Sequence, residues 1–298
     1  MSPDKVIAID TGATNTRLAL IDKSGRILKK EQGTTLLQGD LAQNIQEKIQ
    51  KLLTANEIKK TIGVGVSIAG FIDQEQGILK TSPNLPFKNL EIVKPLEDYF
   101  KKKVILNNDA NAAAIGEKYW GQAKNINNFL YLTISSGIGG AAFIDNKIVL
   151  DKNGNGIEPG HTQIESNYNL PCGCDGKNHW ESYASGINLP NFLKVWAEKN
   201  KIKIDFDGSD VFTIFDAIKN KNEAAVKFFE QVIEINLQGI NYLIRSYHPK
   251  LIIIGGSVYL HNLELFNKFL LEKSLFKPAL FGEDASLIGA AASIFYSK

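Results

Sequence analysis

The chain has 298 residues, of which 44% are hydrophobic and 22% charged, a composition that excludes an intrinsically disordered protein. Lys plus Arg total 34 and Asp plus Glu total 32, so the near-neutral charge balance gives no sign of nucleic-acid or membrane-surface binding. The length is close to the limit of a single hydrophobic core and therefore predicts two lobes. The only cysteines, Cys172 and Cys174, exclude a disulfide framework and favour a reducing compartment.

Targeting and membrane segments are not evident. The first residues, Met1–Lys5, contain no apolar core of the kind that a signal peptide needs. The longest uncharged stretch, Asn125–Ile144, is rich in Asn, Thr, Ser and Gly, which makes it a poor membrane span. We therefore expect a cytoplasmic protein.

The first predicted element is a strand–turn–strand segment at Val6–Asp22, and a similar segment recurs at Leu130–Asp145. Each has an apolar strand, a turn of small residues, a second apolar strand and a closing Ile-Asp pair. One interpretation is two ordinary hairpins. The other is two related lobes, each of which presents a glycine turn to a shared cleft.

Further segments alternate between strand and helix patterns along the rest of the chain. They are a helix at Asp40–Leu53, strands at Thr61–Ile68 and Val104–Leu106, helices at Ala110–Trp120 and Asn222–Tyr247, a strand at Leu251–Ile254, and a helix at Ser286–Phe295. Asp40 is the expected N-cap of the first of these helices. The alternation predicts an α/β fold in which helices cover the sheets.

Three glycine-containing turns follow predicted strands and are candidates for nucleotide binding. Turns of small residues let backbone N–H groups converge on phosphate oxygens, and Asp10 can hold Mg²⁺ beside them, directly or through water. Each turn alone is also explained as an ordinary loop, but three such turns in this order favour a nucleotide site. The third turn would suit an adenosine moiety. The candidate residues are Asp10, Thr11, Gly12, Ala13, Thr14, Asn15 and Thr16, then Thr133, Ser135, Ser136, Gly137, Gly139 and Gly140, then Gly255 and Gly256.

Two common nucleotide motifs are missing from the sequence. There is no G-x-x-x-x-G-K-[ST], which excludes a P-loop enzyme. The segment Gly137–Gly140 lacks the full G-x-G-x-x-G pattern, so a Rossmann dinucleotide site is disfavoured.

Asp109 is the candidate general base, because it stands between an apolar strand and a predicted helix. Phosphoryl transfer to an alcohol needs a carboxylate that accepts the hydroxyl proton and orients the attacking oxygen. The alternative is that Asp109 only caps the helix. Asn108 offers an amide to a hydroxyl, and Ala112–Ala114 would let the helix approach a ligand or the other lobe closely.

Four possible metal ligands, His161, Cys172, Cys174 and His179, fall within 19 positions. They include both cysteines and two of the four histidines of the chain. Loop-borne Cys and His residues supply the four N and S ligands of a structural zinc. Such a site would pin Glu158 and Glu181 as rigid hydroxyl acceptors; the alternative is incidental thiols and solvated histidines.

Taken together, these residues resemble the ROK family (repressors, open reading frames and sugar kinases) of the actin/hexokinase-like superfamily. The resemblance covers nearly the whole chain. The motifs that carry it are Asp10–Thr14, Asn108–Ala114 with Gly116-Glu117, Thr133–Gly140, Glu158–His161, Cys172–Glu181 and Ile253–Gly256.

The resemblance implies a two-lobed actin-like (ribonuclease H-like) α/β fold with ATP and sugar in the inter-lobe cleft. The expected lobes are residues 1–107, to which a C-terminal helix at 283–298 returns, and residues 108–282, which carry the zinc loop. It also implies a homodimer formed through the C-terminal lobe.

The implied activity is ATP-dependent phosphorylation of a hexose at its 6-hydroxyl, with Asp109 as general base. The first two glycine turns would hold the phosphates of ATP with Mg²⁺, and His161 would bind both zinc and sugar. The residues expected to bind the sugar are Asn84, Asn108, Asp109, Glu158, His161 and Glu181.

The sequence departs from the family pattern in two places. The usual zinc segment is C-x-C-G-x-x-G-C-x-E, whereas here Asp175 and Asn178 replace the glycines and His179 replaces the third cysteine. In the second glycine turn, Ser135-Ser136 stands where a Gly-Thr pair is common. Serine keeps the hydroxyl and the small size, so we expect ATP binding to be retained.

Several functions remain open at this stage. Glucose is the leading substrate, and the rival kinases act on N-acetylmannosamine, N-acetylglucosamine or fructose. A sugar-sensing ROK regulator is disfavoured because the first strand begins by Val6, which leaves no room for a helix-turn-helix domain. A catalytically inactive sugar-binding protein is disfavoured by the presence of both Asp10 and Asp109.

Overall fold

The structure is a computed structural model that describes residues 4–270 and 274–297. Its strands are β1 (Lys5–Thr11), β2 (Asn15–Asp22), β3 (Ile27–Thr34), β4 (Thr61–Ile68), β5 (Phe71–Asp73), β6 (Ile78–Thr81), β7 (Lys88–Glu91), β8 (Val104–Asn108), β9 (Phe129–Ile134), β10 (Ile138–Ile144), β11 (Lys147–Ile148), β12 (Ile252–Gly255) and β13 (Phe276–Pro278). Its helices are α1 (Leu41–Leu52), α2 (Ala55–Lys59), α3 (Val93–Phe100), α4 (Asp109–Tyr119), α5 (Glu181–Ala184), α6 (Leu189–Asn200), α7 (Val211–Lys219), α8 (Glu223–Tyr247), α9 (Ser257–Leu260), α10 (Leu263–Asn267) and α11 (Ala285–Tyr296).

The elements expected from the sequence are present. The two similar segments are the hairpins β1–β2 and β9–β10, and β4 has the predicted bounds. Asp40 caps α1 as expected, since its carboxylate accepts a hydrogen bond from the backbone N–H of Gln43 at 2.9 Å. Among residues 4–270 and 274–297, no helix combines the length and the apolar character needed to cross a bilayer.

The chain divides into two compact units. Unit 1 lies within residues 1–127, 145–156 and 279–298, and unit 2 lies within residues 128–144 and 157–278. These bounds differ from the expected lobes, because residues 108–127, 145–156 and 279–282 belong to unit 1. The returning C-terminal helix is α11, in unit 1, and the last residue of its expected range, Lys298, lies outside the described residues.

Helix α4 belongs to unit 1 because its small residues pack directly against α11. A Cβ atom added at Gly289 would lie 1.6 Å from the carbonyl oxygen of Ala112, so the two helix backbones are in contact. Ala112, Ala113 and Ala114 are all buried. Their small size therefore serves helix packing within unit 1, rather than the approach to a ligand or to the other lobe that we expected.

The main sheet of unit 1 has the strand order β3-β2-β1-β4-β8. β1 and β4 run parallel, with Asp10 beside Ser67, and β4 and β8 run parallel, with Ser67 beside Asn107 and Ile68 beside Asn108. The carboxyl ends of these strands therefore bring Asp10 and the start of α4 to one edge of the sheet, where ligands bind in many α/β folds.

Alternating residues of β1 enter two different hydrophobic clusters. Ile7 and Ile9 pack with buried residues of α1, α3 and the small sheet β5-β6-β7. Val6 and Ala8 face the other side and pack with Leu287 and other buried residues of α11. Because both faces of the sheet are covered, the end of β1 holds Asp10 in a rigid setting.

The strands of unit 2 lie in the order β10-β9-β12-β13, with β9 antiparallel to β10 and parallel to β12. Thr133 pairs with Gly255, so the second and third glycine turns meet at one edge of this sheet. Trp180, which precedes α5, is fully buried and donates a hydrogen bond from Nε1 to Asn236 of α8 at 2.9 Å. The indole fixes α5 against the long helix.

Candidate active site

Asp10 is a buried carboxylate at the end of β1. Ser67 of β4 donates a hydrogen bond from Oγ to Oδ1 at 2.9 Å, and Arg17 Nη1 lies 3.4 Å from Oδ2. Burial raises the pKa of Asp10 above its usual range, although the hydrogen bond from Ser67 and the charge of Arg17 oppose this. A buried carboxylate needs such partners to compensate for lost hydration. Sequence analysis missed both, because neither belongs to the motif that singled out Asp10.

Asp109 is the first residue of α4, and its Oδ1 accepts a hydrogen bond from the backbone N–H of Ala110 at 2.9 Å. Burial, and secondarily the negative charge of Asp10, raise the pKa of Asp109 from 3.8 to about 6. A carboxylate with this pKa is ionised at neutral pH and takes up a proton more readily than an ordinary aspartate. Asp109 therefore has the properties of a general base.

The N-cap of α4 is Asn108 rather than Asp109. The alternative in which Asp109 only caps this helix therefore does not apply. Asn108 Oδ1 accepts from the N–H groups of Ala110 at 2.9 Å and Asn111 at 3.4 Å. Its Nδ2 donates to the carbonyl of Gly70 at 3.1 Å. These hydrogen bonds occupy the oxygen and one N–H of the Asn108 amide. The second N–H of Nδ2 is therefore the group that Asn108 can offer to a hydroxyl.

The first glycine turn is supported from within unit 1. The N–H of Gly12 donates to Asn15 O at 3.0 Å, and Thr35 Oγ1 donates to Gly12 O at 2.8 Å. Thr16 Oγ1 is buried and bonded to Thr35 Oγ1 at 3.1 Å, so this hydroxyl stabilises the turn. In contrast, Thr11 Oγ1 is buried without a hydrogen-bond partner. The remaining residues of the turn are Ala13 and the exposed Thr14.

The second and third turns support one another in unit 2. Ser135 Oγ lies 3.0 Å from Ser257 Oγ, one residue beyond Gly256. Gly256 has φ of 87°, and a Cβ there would lie 2.4 Å from the carbonyl oxygen of Ile134, so only glycine fits. Ser136 is exposed at the tip of the second turn. The other candidates of this region, Thr133, Gly137, Gly139, Gly140 and Gly255, lie in the same turn and its flanking strands.

Glu181, at the start of α5, accepts a hydrogen bond through Oε2 from the backbone N–H of Ile138 at 2.7 Å. Gly160, which stands between Glu158 and His161 in the chain, packs against Ile138, since a Cβ atom added at Gly160 would lie 2.4 Å from Ile138 O. The structure therefore brings Glu181 and the Glu158–His161 segment to the second glycine turn, a proximity that the sequence did not reveal.

The other candidate sugar-binding residues belong to unit 1. Asn84 is exposed in the loop between β6 and β7, and its backbone N–H donates to Ser82 Oγ at 3.2 Å. Asn108 and Asp109 stand at the start of α4 in the same unit.

The four candidate metal ligands come together in unit 2. One ligand atom from each of His161, Cys172, Cys174 and His179 lies within 4.8 Å of the others. The individual separations include 3.2 Å between Cys174 Sγ and His179 Nδ1 and 3.4 Å between the two Nδ1 atoms. Tetrahedral zinc with Zn–N and Zn–S distances of about 2.0–2.3 Å places its ligand atoms roughly 3.3–3.8 Å apart. The donor set suits zinc, and these two separations are close to that range.

The backbone of the metal loop explains the two residues that replace glycines of the family pattern. Asp175 has φ of 64° and Asn178 has φ of 58°, both in the left-handed region. Asp and Asn are the residues other than glycine that adopt this region most readily. The loop therefore keeps the backbone conformation that glycines would favour.

Burial, and secondarily the charge of His161, lower the pKa of His179 below its usual range. The shift favours the neutral imidazole, which is the form that binds a metal. His179 is thus suited to stand where the family pattern has a cysteine.

Known proteins resemble this chain over nearly its whole length. The sequence pattern of the ROK family matches residues 6–295. A glucokinase of Pyrobaculum calidifontis is 30% identical over 300 residues, which cover 97% of this chain and 94% of that protein. The ROK hexokinase of Thermus thermophilus has a similar crystal structure, with a TM-score of 0.80 at 26% identity and 98% of both chains covered.

A ROK glucokinase of Streptomyces griseus, solved in complex with glucose and AMPPNP, has a TM-score of 0.74 at 25% identity, with 96% of this chain and 98% of that one covered. These similarities confirm the expected two-lobed actin-like α/β fold. The chain belongs to the ROK family.

Proposed function

We propose that the protein is an ATP-dependent kinase that phosphorylates a hexose, with glucose first, at the 6-hydroxyl. The observation that carries the proposal is the position of Asp109 at the start of α4, after the carboxyl end of β8 and at the same edge of the sheet as Asp10, where a carboxylate can accept a hydroxyl proton. The names of the similar proteins, glucokinase and ROK hexokinase, support the same activity.

In the proposed reaction, Asp109 accepts the proton of the sugar 6-hydroxyl as the oxygen attacks the γ-phosphorus of ATP. The new bond joins this oxygen to phosphorus, and the bond from phosphorus to the β,γ-bridging oxygen breaks, so that ADP leaves with that electron pair. A general base of this kind contributes about 10²–10⁴-fold to the rate. Asp109 also orients the attacking oxygen by the hydrogen bond it accepts.

The residues at the end of β1 fit a magnesium ion. Asp10 offers a buried carboxylate, and Thr11 offers a buried hydroxyl oxygen that has no partner. Hard oxygen ligands of this kind are those that Mg²⁺ prefers. When bound with ATP, the ion would neutralise charge on the phosphate oxygens; Asp10 would hold it, directly or through water.

The glycine turns would bind the nucleotide in this proposal. Backbone N–H groups of the first two turns and the hydroxyls of Thr14 and Ser136, which are exposed, would donate to phosphate oxygens. Gly256 lets the third turn lie directly against the backbone of Ile134, and the adenosine moiety would bind beside Gly255 and Gly256 in this proposal.

Sugar hydroxyls would be bound by the polar side chains that the sequence predicted. Asn84, Asn108 and Asp109 belong to unit 1, whereas Glu158, His161 and Glu181 belong to unit 2. Several hydrogen bonds to one sugar give strong discrimination, because an analogue that lacks a hydroxyl leaves a polar group of the protein unpaired.

We propose that zinc is bound by His161, Cys172, Cys174 and His179, whose N and S donor atoms lie within 4.8 Å of one another and are the ligands that zinc prefers. The ion would cross-link the loop that precedes Glu181 to the Glu158–His161 segment. Its role would be structural, since all four ligands come from the protein.

A panel of sugars tests the activity. Glucose, mannose, fructose, N-acetylmannosamine and N-acetylglucosamine are each supplied with ATP and Mg²⁺, and ADP release is followed by a coupled assay. We expect turnover with glucose and at least a 10²-fold loss of kcat for Asp109→Asn. Turnover on no sugar would refute the kinase, and sugar binding without turnover would identify an inactive sugar-binding protein. Near-normal turnover by Asp109→Asn would refute the role of Asp109.

A further inference from the structure

Helix α5 is hydrogen-bonded at both ends to the second glycine turn. At its start, Glu181 Oε2 accepts from the N–H of Ile138 at 2.7 Å. Just beyond its end, the N–H of Gly186 donates to Ser135 O at 2.7 Å, and the N–H of Ile187 donates to Ser136 O at 3.2 Å. Three consecutive parts of the turn are therefore held by one short segment of unit 2.

The contact is too close to allow side chains on the turn itself. A Cβ at Gly137 would lie 2.7 Å from Glu181 Oε2, and a Cβ at Gly186 would lie 2.9 Å from Ser135 O. Gly137, at the centre of the turn, has no side chain that could pack. The groups that bond to the backbone of the turn therefore help to set its position, together with the contact of Ser135 Oγ with Ser257 Oγ, and Glu181 is the ionisable one among them.

The backbone of Glu181 is itself fixed on both sides. The preceding residue, Trp180, is fully buried, and its N–H donates to Thr162 O at 2.9 Å. The following residue, Ser182, donates from its N–H to His179 O at 2.9 Å. The carboxylate therefore extends from a rigid position that lies two residues after the metal ligand His179.

We propose that Glu181 is a positioning residue for the second glycine turn, in addition to any contact with sugar. Oε2 fixes the backbone at Ile138, and the other carboxylate oxygen accepts from a sugar hydroxyl. The second half of this inference rests on the proposed function, because it assumes that the turn binds ATP phosphates. One side chain then joins sugar binding to nucleotide binding within unit 2.

Two consequences follow from this double use of the carboxylate. Loss of the carboxylate weakens nucleotide binding even when no sugar is present, because the turn loses its fixed position. It also reduces the factor by which bound sugar changes the affinity for nucleotide. By linkage, the factor by which bound nucleotide changes the affinity for sugar is reduced equally.

The experiment compares Glu181→Ala, which removes the acceptor, with Glu181→Gln, which keeps an acceptor oxygen for the Ile138 N–H. Gly137→Ala is a second route to the same defect, since its Cβ would displace the carboxylate. Glu165→Gln is the matched control, because Glu165 is an exposed glutamate of unit 2 outside the candidate site. The first readout is amide hydrogen exchange of the peptide covering 134–140 in protein without ligand.

We expect exchange of this peptide to increase about tenfold or more in Glu181→Ala and Gly137→Ala, and to stay near that of the native protein in Glu181→Gln and Glu165→Gln. The second readout is the Kd of AMPPNP by calorimetry, with and without glucose. Without glucose, this Kd should rise about fivefold or more in Glu181→Ala and remain unchanged in Glu165→Gln.

Exchange that is unchanged in both Glu181→Ala and Gly137→Ala would overturn the positioning role, even if the protein phosphorylates sugars. An unchanged Kd for AMPPNP in Glu181→Ala would overturn the link to nucleotide binding. Failure to phosphorylate any sugar would instead refute the proposed function, and the exchange measurement, which needs no ligand, would still decide the role of Glu181.

Discussion

Arg17 lies directly opposite Asp10 in the pairing of β1 with β2, and its guanidinium contacts both Asp10 and Glu283. Nη1 lies 3.4 Å from Asp10 Oδ2, and Nη2 lies 3.0 Å from Glu283 Oε2. The guanidinium therefore joins the candidate magnesium carboxylate to the turn that precedes α11. With Ser67 on the other oxygen, Asp10 is oriented from two sides.

We expect Arg17→Met to raise the KM for ATP and the Mg²⁺ concentration for half-maximal activity by about tenfold, because a charge-assisted hydrogen bond to Asp10 is lost. Arg17→Lys should recover part of the effect. The control is Arg26→Met, since Arg26 pairs with Asp22 and is 73% exposed. An equal Mg²⁺ dependence in Arg17→Met and the native protein would show that Arg17 only stabilises the fold.

The pKa of Asp109 predicts the pH dependence of activity. Because burial and the charge of Asp10 raise this pKa to about 6, kcat/KM should fall about tenfold per pH unit below pH 6. The residual activity of Asp109→Asn should lack this acidic limb. Glu117→Gln is the control, because Glu117 is another buried carboxyl with a raised pKa and should not contribute to the limb. An acidic limb that persists in Asp109→Asn would assign it to another group.

The same shift predicts a gain in stability when Asp109 is replaced. A carboxyl whose pKa is higher in the folded state stabilises the fold below the unfolded pKa, and this contribution is lost as pH rises through about 6. Asp109→Asn should therefore be more stable than the native protein at pH 7.5, by at most about 3 kcal/mol before allowing for partial exposure. Urea unfolding at pH 7.5 and 4.5 measures the difference, which should shrink at the lower pH. A variant that is less stable at pH 7.5 would contradict the prediction.

The sequence predicted the strands and helices well because each pattern is local. The apolar run in β4 and the cap at Asp40 depend on neighbours within a few residues. The N-cap of α4 is harder to predict from the sequence, because Asn108 and Asp109 both suit that position and only the backbone angles decide between them.

Contacts between distant segments could not be predicted. Ser67 reaches Asp10 across 57 residues through the register of two parallel strands, and Glu181 reaches Ile138 across 43. The placement of α4 in unit 1 likewise depends on its contact with α11, which is near the other end of the chain. The cluster of candidate metal ligands could be predicted because its four residues are close in sequence as well as in space.

The contact between α4 and α11 predicts that Gly289→Ala is strongly destabilising. Its Cβ would overlap the backbone at Ala112, which cannot move aside as a flexible side chain would. We expect a loss of about 3 kcal/mol or more in unfolding free energy, despite the higher helix propensity of alanine. Gly173→Ala is the matched control, because nothing lies within 4 Å of its Cβ. Equal unfolding midpoints for the two variants would refute the close packing.

The left-handed backbone at Asp175 predicts how the metal loop responds to substitution. Asp175→Gly should preserve zinc binding, whereas Asp175→Val should weaken it about 5–30-fold, because a β-branched residue adopts this conformation at a cost of about 1–2 kcal/mol. Lys177→Val in the same loop is the control, since Lys177 is not among the residues with positive φ.

Zinc content after purification without added metal, followed by competition with a chelator, measures the affinity. We expect stoichiometric zinc in the native protein and a loss of that zinc in Cys172→Ser, because the removal of one of four ligands opens the tetrahedral site. Native protein without zinc would refute the metal site. Equal affinities for Asp175→Val and Lys177→Val would show that the backbone at Asp175 does not limit metal binding, and that the loop tolerates any residue where the family pattern has glycine.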